Sequence, residues 1–210
     1  MKELTRNNLK KMLLSASKEL ILHSDEITKI DALFEKRNYG LVTWKIGKIL
    51  ETKVENWEEN ISIKRFFTSL GEEVIACVYG TSGPLWGNLF IGLGTPLTNE
   101  TTLTKENLKE MFSKSLSEVF ELTPAGLGDK TFLDAYIPAV EYIKGYSGES
   151  ITQMFLIAYK EAEKGAIKTK NYMAKFGTAK NYQEKTIGTI DIGAYSIAIL
   201  FKGFSDSFSK

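Results

Sequence analysis

Along almost the whole chain, apolar residues return every three or four positions, and nowhere does a strict apolar–polar alternation persist. That period places them on one face of a helix and leaves no signal for a sheet. Leu9, Met12, Leu13, Ala16 and Leu20 form the first such stripe. Ile63, Phe66, Phe67, Leu70, Val74, Cys77 and Val78 form another. Leu108, Met111, Phe112, Leu116, Val119 and Phe120 follow, then Ile151, Met154, Phe155, Ala158 and Ala162. The pattern predicts an all-α fold: a single-domain barrel over 1–210, of about eight antiparallel amphipathic helices with a ligand pocket at one end.

Polar, glycine and proline residues punctuate the stripes. Ser24 or Asp25 is expected to cap a second helix that reaches about Phe34, and the polar run 35–40 reads as a loop before helix resumes to about Val54. Gly80-Thr81-Ser82-Gly83-Pro84-Leu85-Trp86-Gly87 opens the next helix, with Ser82 or Gly83 as cap and Pro84 in the first turn. That helix is expected to stop before Gly92-Leu93-Gly94. Thr104 caps the following one, and the helix after Gly128 contains Pro138, which should kink it or use a locally relieved hydrogen bond. Another helix ends near Gly165, and a loose stretch from Phe176 to Asp191 leads into a last helix from Gly193 to about Phe201. Loops at 35–40, 80–84, 126–131 and 186–193 are separated by pairs of helices, so an up-and-down arrangement brings all four to one end. The helix start at 80–84 suits an anion, because first-turn amides and the helix dipole both favour negative charge there.

Composition removes several functions. With 27 basic and 26 acidic residues the net charge is +1, which offers no electrostatic footprint for nucleic acid or an anionic membrane. The lone cysteine, Cys77, sits in an apolar stripe and rules out an internal disulfide, and the lone histidine, His23, rules out a two-histidine zinc site. Ser82 has no second histidine to act as base and no Gly-x-Ser-x-Gly frame, which argues against a nucleophile. Absence of a signal peptide or a spanning apolar segment leads to a cytoplasmic expectation.

Three stretches resemble the L subunit of dihydroxyacetone kinase, the DhaL/DAK2 nucleotide-binding family. Gly80–Gly87 is similar to that family's Gly-Ala-Ser-Gly-Pro-Leu-x-Gly, and Gly128-Asp129-Lys130-Thr131-Phe132-Leu133-Asp134 to its Gly-Asp-Lys-Thr-Met-x-Asp. Ile187-Gly188-x-x-Asp191-x-Gly193-Ala194-x-Ser196 resembles a third stretch, with Ile192 where a proline is usual. The resemblance implies an eight-helix barrel with ADP/ATP at one end. It also implies a K-type subunit carrying dihydroxyacetone, and a phosphocarrier of the phosphotransferase system (PTS) that rephosphorylates ADP in place. By the same resemblance, Gly80, Thr81, Ser82, Gly83 and Leu85 hold the phosphates. Gly128, Lys130, Thr131 and Phe132 line the nucleoside side, with Asp191 nearby.

The first motif departs from the family. It runs Asp, four residues, Asp, one residue, Asp-His-Gly, and its aspartates hold two magnesium ions. Here Asp31 remains, but Lys36, Asn38 and Tyr39 replace the second aspartate, the third and the histidine. Val42 stands for an asparagine, and Thr178 for an arginine expected near the phosphates. Magnesium needs a shell of hard oxygens, with carboxylates to supply charge. Asp31 is a remnant of that set, Asn38 offers only a neutral oxygen, and Lys36 repels a cation, so the substitutions argue against magnesium. Lys36 and Arg37 are instead placed to neutralise phosphates directly. Two readings follow: a non-catalytic or regulatory nucleotide-binding relative, or an active phosphotransferase subunit.

Overall fold

The computed structural model describes residues 1–33 and 39–208. Among them run nine α-helices: α1 (Arg6–Leu22), α2 (Ser24–Asp31), α3 (Tyr39–Glu55), α4 (Ile63–Cys77), α5 (Ser82–Gly94), α6 (Lys105–Phe120), α7 (Leu133–Gly145), α8 (Ile151–Lys168) and α9 (Ile192–Asp206). Eight of these close a ring. α1 packs on α3, α3 on α4, and so on through α5, α6, α7 and α8 to α9, which returns to α1. The ninth, α2, packs across α3 and α9. The all-α fold expected from the periodicity, and the eight-helix barrel implied by the resemblance, are therefore what the chain forms, and no described helix is long and apolar enough to cross a membrane.

The stripes face the ring's interior, apart from Phe120 at the end of α6, which is exposed, and Cys77, which is half-buried. All five apolar residues predicted for α1 are buried, as are Phe112, Phe155, Phe201 and Phe204, whose rings meet at 5.5–6.5 Å between centroids. Edge and tilted contacts of this kind suit the aromatic quadrupole and fill the barrel with few side chains. Polar pairs also cross the core, Thr43 with Ser196 and Tyr136 with Ser115. Tyr136 and Ser115 hydroxyls lie 2.6 Å apart, and Ser115 also donates to the Leu89 carbonyl, so neither buried oxygen goes unpaired.

One end of the barrel is closed by short ties. Strand β1 (Leu4–Thr5) pairs antiparallel with β2 (Thr102–Leu103), Leu4 opposite Leu103. Two residues each are too few to show alternation in the sequence. The Ile151 amide donates to the Met1 carbonyl at 2.9 Å, and Arg6 stacks on Trp57 while donating to the Glu59 carbonyl. Connections 56–62, 95–104 and 146–150 therefore share this end, which leaves the glycine-rich loops to the other.

Several boundaries differ from expectation. α5 continues through Gly92 to Gly94, and α8 through Gly165 to Lys168. A Cβ on Gly92 would lie 3.0 Å from the Ser115 amide nitrogen, so this glycine serves a close helix crossing rather than a stop. α9 runs to Asp206 because Phe204 extends its buried face. His23 alone separates α1 from α2, and the Ser24 hydroxyl donates back to the Ile21 carbonyl instead of capping α2. Thr104 does cap α6, in a reciprocal box with Asn107. α7 passes through Pro138 as one helix.

Candidate functional site

Tyr39, the first residue of α3, ties two of the four loops together. Its hydroxyl accepts from Trp86 Nε1 at 3.4 Å and is hydrogen-bonded to Ser82. Its amide donates to the Asp31 carboxylate at 2.8 Å. Burial, opposed by those hydrogen bonds and reinforced by the charges of Asp191 and Asp31, pushes the phenol up to about 12. A neutral hydroxyl thus stands where the resemblance has a histidine. Residues 31 and 39 lie beside residues 82 and 86, as the convergence of loops requires.

The turn that leads into α5 is built by glycine and proline. Gly80 has φ +77°, a left-handed conformation that side chains resist, and it reverses the chain between α4 and α5. Thr81, not Ser82 or Gly83, is the residue before α5, and its side chain caps no amide. Pro84 falls in the first turn as expected. Thr81 is exposed and Ser82 half-buried, while Gly83 is buried against the Val78 carbonyl and Leu85 packs on the core. Tyr79 projects into solvent, 87% exposed, with the Lys45 ammonium 5.4 Å over its ring.

The third loop is organised by a carboxylate. Asp134, buried in the first turn of α7, accepts from the Gly128 amide at 2.6 Å and from the Thr131 amide at 2.8 Å. Gly128 takes φ +86° and Lys130 φ +59°, so the turn between them winds left-handed twice. Burial raises the Asp134 carboxyl, against its hydrogen bonds to backbone amides. Phe132 is buried, its ring stacked on Tyr136 at 6.2 Å, and its backbone abuts Gly193.

Lys130 connects this loop to the fourth. Its side chain is buried, and its ammonium donates to the Thr169 and Thr189 carbonyls, each at 2.6 Å. Burial lowers its pKa, while Asp191 and Asp134 act the other way. Asp191 precedes α9 and caps it, accepting from the Ala194 amide at 2.7 Å. The charges of Asp191 and Asp134 are felt at Lys130, and that of Asp191 at Tyr39, so the four loops form one rim.

Thr178 lies on the 172–188 segment, just before a short 3-10 turn, and its carbonyl accepts from the Asn181 amide. Among the described hydrogen bonds none joins it to residues 80–84. Lys36 and Asn38, with Glu35 and Arg37, lie outside the described residues. Among the described residues no group of three or more His, Cys, Asp or Glu is placed to hold a metal ion. Asp134 and the carbonyls of Thr169 and Thr189 escaped the sequence reading as site-shaping groups. Asp134 carried a signal, standing three residues after Thr131 as capping carboxylates do; the carbonyls carried none.

Asp191 gives this rim a pH dependence. Burial pushes its carboxyl up to about 7, although the Ala194 amide and the Lys130 ammonium hold it down. Because the folded value lies above the ordinary one, the folded chain keeps this proton longer than the unfolded chain. Its contribution is therefore fully present at low pH and is lost as pH rises from the ordinary carboxylate range through about 7. Asp191→Asn, which still offers an oxygen to cap α9, is expected to flatten that slope. Thermal unfolding from about pH 5 to about pH 8 checks this. Parallel curves for the two proteins would contradict it.

Comparison with known proteins agrees with the all-α fold. The family model described as DAK2 domain matches residues 46–206. The chain is 28% identical over 182 residues to the ADP-binding subunit DhaL of the PEP-dependent dihydroxyacetone kinase of Escherichia coli K12, covering 85% of this chain and 86% of that one. It is 30% identical over 141 residues to the corresponding subunit of kinase 2 of Listeria innocua, covering 67% and 65%. The crystal structure of the C. freundii dihydroxyacetone kinase superposes with a TM-score of 0.74 at 20% identity, over 99% of this chain and 36% of that one. A second C. freundii structure, in complex with AMP-PNP and Mg2+, gives 0.72 at 18% identity. The chain likewise spans 32% of the probable dihydroxyacetone kinase of Dictyostelium discoideum. By the family match over most of its length, the chain belongs to the DhaL/DAK2 domain family.

Proposed function

We propose that this chain is an ADP/ATP-binding subunit of the dihydroxyacetone kinase type, with impaired magnesium-dependent phosphoryl transfer. The observation that carries the reading is the start of α5, where Thr81, Ser82 and Gly83 present first-turn amides that no side chain caps, beside the rim formed by Tyr39 and Asp191. Amides and helix dipole favour a phosphate there without any metal. The name of the E. coli relative supports ADP as the ligand, and the C. freundii complex supports a nucleotide with Mg2+ in that protein.

The donor set here does not fit a two-ion magnesium site. Lys36 and Asn38 stand where carboxylates would be needed, and the Asp31 carboxylate accepts the Tyr39 amide. In this reading Tyr39 orients the Ser82 hydroxyl, Asp134 shapes the nucleoside-side turn, and Lys36 with Arg37 offsets phosphate charge from the first loop. Residues 1–210 act as one cytoplasmic unit, working against a K-type subunit and a PTS phosphocarrier subunit. Transfer depends on metal to offset charge on the moving phosphoryl group, so turnover should be at least about a hundredfold below that of a restored site.

The test is dihydroxyacetone phosphorylation with a K-type subunit and a phosphocarrier. The triple variant Lys36→Asp/Asn38→Asp/Tyr39→His is expected to gain magnesium-dependent turnover over the native chain. A native chain that already turns over as fast as the restored one establishes the active reading instead, which the resemblance to the E. coli subunit favours.

A further inference from the structure

After α8 and a 3-10 turn (Thr169–Asn171), the chain makes a long excursion before α9 begins at Ile192. The neck of this excursion is closed by two bonds within it. The Gly188 amide donates to the Lys170 carbonyl at 2.7 Å, and the Asp191 amide to Thr169 Oγ1 at 2.8 Å. A third tie comes from across the rim. The Lys130 ammonium donates to the Thr169 carbonyl on the way out and the Thr189 carbonyl on the way back, at 2.6 Å each.

Beyond the neck the excursion keeps some hold on the barrel: Phe176 packs against the core, and Ala174 and Thr186 are buried. Ala174 donates to Thr186 Oγ1, and Lys175 reaches Asp129 through a backbone bond of 3.2 Å and an ion pair with its ammonium end largely in solvent. Such an exposed pair contributes little. Gln183 takes φ +48°, so part of the segment is strained as well as exposed.

We infer that Lys130 is a positioning residue: its ammonium clamps the neck of the 172–188 loop, and so fixes Asp191 and the start of α9 against the phosphate rim without touching the nucleotide. Three things support the assignment. The residue is 4% exposed, and two of the three ammonium hydrogens are taken by carbonyls. Its backbone is held left-handed by a turn that Asp134 pins on both sides, at Gly128 and Thr131. Two carbonyl oxygens facing one point need a donor with several hydrogens, and a neutral side chain of equal length would leave both unpaired. The inference rests on the nucleotide reading for its consequence, but not for the clamp itself.

Hydrogen exchange of amides 172–190, measured without nucleotide, tests the clamp by itself. Lys130→Met, which keeps length and removes every donor, is expected to exchange there about tenfold faster or more, with amides in α1 and α4 unchanged. Limited proteolysis of the same segment should accelerate in step, and ADP should bind more weakly. Unchanged exchange in 172–190 overturns the clamp, and unchanged exchange with weakened ADP binding assigns the ammonium to the ligand instead. Should Lys130→Met not fold, Lys130→Arg carries the test: its guanidinium can serve both carbonyls and is expected to keep near-native exchange. A folded Arg variant with a freely exchanging loop overturns the proposal. If the native chain binds no ADP, the exchange result still decides the clamp, and only the nucleotide reading fails.

Discussion

Gly165→Ala is expected to destabilise the protein by about 3 kcal/mol, despite replacing glycine by the best helix former. The reason lies on α7. A Cβ at position 165 would overlap the Asp134 carbonyl oxygen and come within 3.0 Å of Ala135 Cα, both backbone atoms that cannot turn aside. α8 must then move away from the turn that begins α7, and that turn carries Asp134. For a chain of this size the change corresponds to a fall in Tm of roughly 6–12 °C. Gly145→Ala is the control: it ends α7 with nothing within 4 Å of an added Cβ, and it should be neutral or stabilising. Calorimetric unfolding of both variants checks the pair. A Gly165→Ala protein as stable as the parent would mean that α7 and α8 do not cross as closely as described.

Asp134→Ala should cost a similar amount by another route. Each oxygen of this buried carboxylate takes one amide, Gly128 on Oδ1 and Thr131 on Oδ2. Deleting the side chain strands both donors, and a buried unpaired donor costs about 1–3 kcal/mol, so the sum is roughly 2–6 kcal/mol. The left-handed residues Gly128 and Lys130 lose what holds them, and with them the placement of the Lys130 ammonium. Asp134→Asn keeps one accepting oxygen and should fall midway. Denaturant unfolding measures the stability, and a parallel ADP titration should show affinity falling with it. Full stability in Asp134→Ala would remove the carboxylate from its organising role.

Helices and their inward faces were legible because burial imposes the helical period, and the α1 stripe was read residue for residue. What the linear pattern could not supply was the neighbour's backbone. Gly92 and Gly165 look like stops until Ser115 and Asp134 are seen against them. Ser24 looks like a cap until its hydroxyl is found bonded backward to Ile21. At the site, residues 80–87 and 128–134 announced themselves by breakers at close spacing. The bond from Lys130 to Thr169 and Thr189 spans 39 and 59 positions and ends on carbonyls, which every residue has. No motif could have marked it. Tyr39 was noted as a departure from the family, but its partnership with Trp86 and Ser82 needed the fold.

In the proposed function this rim holds a nucleotide's phosphates through α5 amides and loop cations, independently of magnesium. Calorimetric titration of ADP into the native chain, with magnesium and again with excess chelator, addresses it most directly. The account predicts saturable one-to-one binding whose affinity differs by less than about threefold between the two conditions, under 1 kcal/mol. Binding that vanishes in chelator, or no binding in either condition, would contradict it.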